Sequence, residues 1–383
     1  MKETKLVNYI HIMKEIWINE SISRVDIAKN IKLDKSTVTL IIKDLIQKNI
    51  VVEHEEGKAS SSGGRKPVFL KLNHDIGYVL GIELQRSFYR IVVVDLSGNI
   101  IHTKKDRIVI EYTDITDVLS IIINDIFKIQ TKFEVPLIGI GIGISGIVDN
   151  TNGRVLSSLP FNIYDIVDLN KELSKHFDIP IYVENDANCC IWGEMAFFRK
   201  QQHKNYIYIM LETRSDEDLV DKLGAVSLGV GIVIDGKVHY GENFSAGEFH
   251  SILKFSKEHY GQFAITKEEH QKFNTDKKIQ EDFLRELAKH IALFVNVFDF
   301  ATVFLGGNFK SFNNFTIDII NEEIQKNWPY HSNKEVNIQF SSFAEDAVCY
   351  GAAGMILNKL FSRKEGVKSK SKKDSIHKKI GLV

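Results

Sequence analysis

"VENDANCCIWGE", Val183 to Glu194, sets two carboxylates (Glu184, Asp186) beside two carboxamides (Asn185, Asn188). The apolar run "IPIYV" leads into it and "ANCCIWGEMAFF" leads out, which reads as a strand followed by a helix. A polar group at such an opening is well placed to act as a general base toward a polar substrate. Alternation along the strand turns Glu184 away from Asn185, so Glu184 is expected to be structural. Asp is also a good N-cap, so on pattern alone Asp186 can cap a helix over residues 187–199, face a cleft, or do both.

Outward from this stretch, strands alternate with helices. "YVLGIELQRSFYRIVVVDLSGNIIHTKK" reads as strand, tight turn at Gln85–Ser87, strand, Ser-Gly-Asn turn, strand. An amphipathic helix is expected over 115–131, then the glycine-rich buried strand "PLIGIGIGISGIVDN". "NYIYIMLE" and "GAVSLGVGIVIDGKV" are strands around an irregular acidic loop at 213–222. A long helix ("QEDFLRELAKHIALFVNVFD"), a strand with a glycine turn ("ATVFLGG") and a small-residue helix ("EDAVCYGAAGMILNKLF") close the body. The pattern predicts an α/β body long enough for two lobes with a cleft between them.

The first seventy residues differ. Leu6, Tyr9, Ile10, Met13, Ile16 and Trp17 mark one face of a helix. Ser23 and Asp26 fit the start of a second, short one. In "LDKSTVTLIIKDLIQKNI" Asp34 is the expected N-cap, with Val38, Ile41, Ile42, Leu45 and Ile46 inward. Lys35, Ser36, Thr37, Thr39 and Lys43 face outward, small or basic donors suited to base edges and phosphates in a major groove. A bundle that binds protein would also present three helices. The β-rich runs "IVVEHEE" and "PVFLKLN", joined by a glycine-serine tip carrying Arg65 and Lys66, favour a winged helix-turn-helix whose wing reaches phosphates or a minor groove. Residues 1–72 hold 13 Lys+Arg against 9 Asp+Glu, net +4 in a chain of net charge −1, which agrees with a DNA-facing head.

At 383 residues, 44% hydrophobic and 26% charged, the chain has ordinary globular composition and room for two or three domains. It contains no run approaching a membrane span, and its start lacks a signal-peptide pattern. Cys189, Cys190 and Cys349 fit neither a disulfide framework nor a zinc cage. A cytoplasmic, nucleoid-associated protein of bacterial type is expected. The expected division is 1–73 (head), 74–362 (body) and 363–383, a basic, disordered tail.

Over residues 1 to about 362 the chain resembles the ROK family (repressors, open reading frames and sugar kinases), in particular its xylose-repressor-like transcription factors. The resemblance rests on "GGRKP" with "LKLNHDIGYVLGIEL", "GIGISGIVD", "VENDANCCIWGE", "GVGIVIDGKVHYGENFSAGEFH", "FLGGNF" and "YGAAGMIL", in that order. It implies a two-lobed, actin-like sugar-kinase fold behind the winged head, with a sugar held between the lobes. In kinase members the aspartate matching Asp186 takes the proton from the attacking sugar hydroxyl. The positions of Asn185 and Glu248 bond sugar hydroxyls, and Asn162 and His250 are further sugar candidates in loosely matching loops. Ser145 and Gly146 are candidates for the cleft floor.

Two departures matter. Kinase members carry a glycine-glycine-threonine turn after the acidic residue matching Glu83, where backbone N–H groups approach polyphosphate. Here the turn is Gln85-Arg86-Ser87, so loss of kinase activity is expected and no catalytic residue is assigned. Gly229 and Gly231 are expected to serve a tight β-turn. Zinc-binding members follow their histidine with three cysteines. Here no cysteine lies between His250 and Phe283, and His250, His259 and His270 are read as surface residues, with no metal and no cofactor. The expected partners are double-stranded operator DNA, a small sugar effector and a second copy, as homodimer or homotetramer. The alternative is an active sugar kinase fused to a DNA-binding head.

Overall fold

A computed structural model describes residues 3–56, 67–108, 114–130, 135–200, 203–312, 315–362 and 373–382. The head contains α1 (Glu3–Asn19), the short β1 (Ile22–Ser23), α2 (Arg24–Asn30), α3 (Lys35–Gln47) and the hairpin β2 (Val51–Glu56) and β3 (Val68–Leu72). Its sheet runs β1-β3-β2. Ser23 caps α2 and Asp34 caps α3, as their side-chain chemistry predicts. The apolar stripes of α1 and α3 bury Tyr9, Ile10, Met13, Ile16, Val38, Ile42 and Leu45 together. Tyr9 donates to Asp44 at 2.7 Å and locks α1 to α3.

The first lobe contains β4 (Tyr78–Leu84), β5 (Phe88–Asp95), β6 (Ile100–Arg107), α4 (Ile115–Gln130), β7 (Leu137–Ile144), β8 (Ile147–Asp149), β9 (Arg154–Ser157), α5 (Leu169–Leu173) and β10 (Ile181–Asn185). Its main sheet runs β10-β7-β4-β5-β6. The central strands β4 and β7 are buried along their whole length, which explains their unbroken apolar run. Helix α6 (Asp186–Phe197) leaves this lobe.

The second lobe contains β11 (Tyr206–Thr213), α7 (Glu217–Leu223), β12 (Val226–Ile234), β13 (Lys237–Val238), β14 (His259–Tyr260), β15 (Ile265–Thr266), α8 (Lys267–Lys272), α9 (Lys277–Phe298), β16 (Thr302–Gly307), α10 (Thr316–Asn327) and β17 (Asn337–Phe340). Its sheet runs β13-β12-β11-β16-β17. Helix α11 (Ala347–Phe361) then returns to the first lobe.

Helices α6 and α11 form a layer between the two sheets. Gly351 brings them together: a Cβ there would sit 1.7 Å from the Cys189 carbonyl oxygen. Gly81 and Gly141 of the first sheet admit the α11 backbone in the same way, with Cβ positions 2.0 and 2.1 Å from Cys349 and Ala352 oxygens. On the other side, Gly229 and Gly231 lie within β12, paired with Met210 and Tyr208, and a Cβ at either would press on Ala187 or Ile191 of α6. The expected turn role is thus corrected: these glycines make room for a helix, not for a turn.

Of the tail expected to be disordered, residues 363–372 lie outside the described residues, and the described remainder is ordered. Residues 373–379 form α12, and Ile376, Ile380 and Leu382 are buried. His377 Nε2 lies 2.9 Å from the Leu360 oxygen, and Lys379 donates to the Asp178 oxygen at 2.7 Å. Three apolar residues with helical spacing, hidden among lysines, give this segment a docking face.

Candidate functional site

Strands β7 and β10 are parallel neighbours, with Ile144 paired to Asn185. Their ends bring the Ser145–Gly146 turn against the start of α6. Asn185, not Asp186, is the cap: its Oδ1 accepts from the Asn188 amide at 3.1 Å, while its Nδ2 donates to the Gly146 oxygen at 3.0 Å. Asp186 begins the helix, accepts from its Ala187 neighbour at 2.8 Å and from the Ser145 hydroxyl, and is buried. Burial pushes its carboxyl up; the Ser145 hydrogen bond pulls it down, and the charge of Glu212 raises it again. A carboxylate held this way readily accepts a hydroxyl hydrogen bond from a ligand that excludes water.

Glu184 is fully buried. It accepts from Asn150 at 2.8 Å, Tyr240 at 2.9 Å and Trp192 at 3.3 Å. It ties the first lobe to α6 and to the segment after β13, a structural role that its strand alternation predicted. Asn150 and Tyr240 were not predicted as partners; they come from distant segments, whereas Trp192 lies within the same motif two turns along α6.

Glu248 follows Gly247, whose φ is 94° and whose Cβ would lie 1.9 Å from the Val230 oxygen. Only glycine permits that approach. Glu248 feels the Asp186 charge, and burial together with that charge raises its carboxyl. Glu248 itself stays exposed to solvent, so the burial acting on its carboxyl is partial. Asn162 lies in a tight turn at φ 53°, exposed, with its amide bonded to the Leu159 oxygen; Ser158 at the base of that turn donates to the Ser145 oxygen at 2.6 Å. His250 is exposed and lies 3.2 Å from Lys254 Nζ. The structure therefore joins Asn185 and Asp186 to the Ser145–Gly146 turn, while Glu248, Asn162 and His250 make no hydrogen bond to that group among the described residues.

On the opposite side of the cleft, Arg90 is paired across the hairpin with Glu83 at 3.0 Å. It also reaches Glu345 at 3.1 Å and Asp346 at 3.4 Å, and stacks on Phe88 at 4.5 Å. An arginine inside the apolar run "FYRIVVVD" opposite a glutamate was the available signal for this pair. Burial pushes Glu83 up to about 7, against the pull of Arg90. Gln85 folds back to Glu83 at 3.3 Å, and Arg86 crosses to the Pro160 oxygen at 2.8 Å. Glu83, Gln85, Arg90, Glu212, Thr213 and Glu345 line a cavity of about 190 Å³, below the roughly 300–1,000 Å³ of usual ligand clefts.

The connection from β11 to β12 is no tight turn either. It contains α7, which is held by a histidine. His270 is 2% exposed, accepts from the Ala225 amide at 3.0 Å and lies 2.9 Å from the Tyr260 oxygen. His270 is therefore a buried strut, which corrects the surface reading; His259 is half-buried, and only His250 is exposed.

In the head, Lys35, Ser36, Thr39 and Lys43 are exposed on α3 and Thr37 is half-buried. The Ser36 and Thr37 hydroxyls donate back to Asp34, and Thr39 donates to the Lys35 oxygen at 2.7 Å. Leu40, 69% exposed, stands among them and was missed because its neighbours Ile41 and Ile42 read as core. Arg65 and Lys66 lie outside the described residues. No described helix is long and apolar enough to cross a membrane.

Residues 79–263 match the model of the ROK family. Among curated proteins, the xylose repressor of Bacillus spizizenii is 31% identical over 254 residues, covering 66% of this chain and 62% of the relative. The DNA-binding transcriptional repressor Mlc of Escherichia coli is 23% identical over 222 residues, 56% of this chain and 50% of that protein. The chain thus spans about three fifths or less of the length of these relatives. Among solved structures, a ROK family transcriptional regulator, a homologue of E. coli Mlc, aligns over 98% of this chain and 99% of its own, with 21% identity and a TM-score of 0.73. A ROK family glucokinase from Streptomyces griseus, solved with glucose and AMPPNP, aligns over 73% of this chain and 99% of its own, with 20% identity and a TM-score of 0.56. These likenesses establish the fold, winged head included.

Proposed function

We propose that this chain, which belongs to the ROK family through the domain at residues 79–263, is a sugar-responsive transcriptional repressor. Its head binds operator DNA through α3 and the wing. Its cleft takes a monosaccharide or close derivative, hydrogen-bonded by Asn185, Asp186 and Glu248. Cleft closure changes operator affinity, a coupling between two distinct sites. The active form is a homodimer or homotetramer, since winged heads meet paired half-sites.

The observation that carries the reading is the asymmetry of the cleft. The sugar half keeps a buried carboxylate, Asp186, bonded to Ser145, beside the Asn185 carboxamide bonded to Gly146. The phosphate half has Gln85 and Arg86 in the turn and three carboxylates (Glu83, Glu212, Glu345) along the cavity wall. Polyphosphate needs closely approaching backbone N–H groups and free cations; side chains replace glycine in this turn and the lining arginine, Arg90, is engaged by Glu83 and Glu345, so this wall favours binding without phosphoryl transfer.

Fluorescence anisotropy with a duplex selected by the protein from a random library, with and without a panel of sugars, tests the reading. Salt-dependent binding that one sugar alters by several-fold is expected. ATP turnover with any sugar of the panel would favour the kinase alternative.

A further inference from the structure

Helix α6 begins at the candidate sugar site and ends beside the head. Its 12 residues span about 18 Å at 1.5 Å each. Two residues beyond its end stands Arg199, half-buried. The Arg199 guanidinium donates from Nε to the Ala196 oxygen in the last turn of α6, at 2.7 Å. From Nη2 it donates to the Ser97 oxygen in the turn between β5 and β6, also at 2.7 Å. From Nη1 it donates to the Trp17 oxygen in the last turn of α1. The guanidinium also lies 4.4 Å from the Trp17 ring, which packs 4.8 Å from Phe361 at the end of α11.

One cation thus serves three otherwise separate segments. Neither α1 nor α6 carries a basic residue in its own last turn. Both leave carbonyl oxygens at the negative end of the helix dipole, and Arg199 supplies the missing positive charge to both. Gly98 makes room: a Cβ there would lie 3.1 Å from Arg199 Nη2.

The other end of α6 is wedged between the lobes. Asp186 bonds the first lobe through Ser145, while Gly229 and Gly231 of the second-lobe sheet press against Ala187 and Ile191. The close approach of Gly351 to Cys189 and of Gly354 to Ala196 makes α6 and α11 move together. A shift of one lobe against the other therefore tilts α6, and its far end carries Arg199.

We infer that Arg199 is the positioning residue that couples the sugar cleft to the DNA-facing head. The inference rests on the repressor reading above and names the route of its regulation. Arg199 touches neither sugar nor DNA; it acts through Trp17 and α1.

The full-length wild type, Arg199→Ala and Arg199→Lys are compared. D-xylose affinity is measured by calorimetry, and affinity for the selected duplex by anisotropy, with and without D-xylose. In Arg199→Ala the xylose Kd and the sugar-free DNA Kd stay within about threefold of wild type. The change that sugar makes in DNA affinity falls from the roughly 5–150-fold of ordinary allosteric coupling to under about twofold. Arg199→Lys keeps the charge and part of the bonding, so it restores part of the coupling. A wild-type response retained in Arg199→Ala overturns the inference. Amide hydrogen exchange of α1 provides a sugar-independent reading: Arg199→Ala loses protection over Ile16–Asn19 by about tenfold or more. If wild-type DNA binding ignores D-xylose, that sugar is not the effector, and unchanged exchange at Ile16–Asn19 in Arg199→Ala still overturns the clamp.

Discussion

Among the described residues no basic group bonds Asp186, and burial holds its carboxyl above the ordinary value. A group raised in the native state lends its stability below the unfolded carboxylate value, about 4, and loses it as pH rises through the native value. Asp186→Asn therefore leaves the Tm unchanged or higher at neutral pH, and its gap over wild type widens as pH rises from about 4. The same variant weakens sugar binding roughly 10–100-fold, the worth of a hydrogen bond to a charged group. Calorimetric melting across pH and sugar titration check both halves. Gly247 makes the opposite kind of prediction. Its φ of 94° and the 1.9 Å approach to the Val230 oxygen make Gly247→Ala destabilising by about 2 kcal/mol or more, through strain and clash. Urea unfolding measures that loss, and sugar affinity falls with it because Glu248 is displaced.

At the scale of elements, the β4–β5 hairpin and α3 carry the argument. The missing turn glycines were readable because glycine chemistry is local. The α7 insertion between β11 and β12 was read as an irregular loop, since seven helical residues flanked by acids give little periodicity. Gly229 and Gly231 were misread for a related reason: a glycine in a strand looks the same whether it serves a turn or admits a helix, and only the position of α6 distinguishes them. On α3, Lys35 and Lys43 are the exposed cations. Alanine at either lowers affinity for all sequences alike and reduces the slope of log K against log salt by about 1 each. Leu40→Ala spares that slope.

For the whole molecule, local chemistry announced the head, the alternating body and Asp186. Long-range packing did not announce itself: the Arg90 cluster, the Glu184 bonds from Asn150 and Tyr240, and the docking of α12 on Asp178 all join residues far apart in the chain. Asn185 took the cap expected of Asp186 because α6 begins one residue earlier than expected, at Asp186 itself. What emerges is a buried Asp186 at the start of α6, an Arg90-centred carboxylate cluster at the β4–β5 hairpin, and a head held to the end of α6 by Arg199. The most direct measurement is the affinity of the full chain for its selected duplex as sugar is added, with ATP turnover followed in the same samples. The account predicts a several-fold, saturable change in DNA affinity that Asp186→Asn abolishes, and no turnover. Unchanged DNA affinity with every sugar, or sugar-dependent ATP consumption lost in Asp186→Asn, would contradict it.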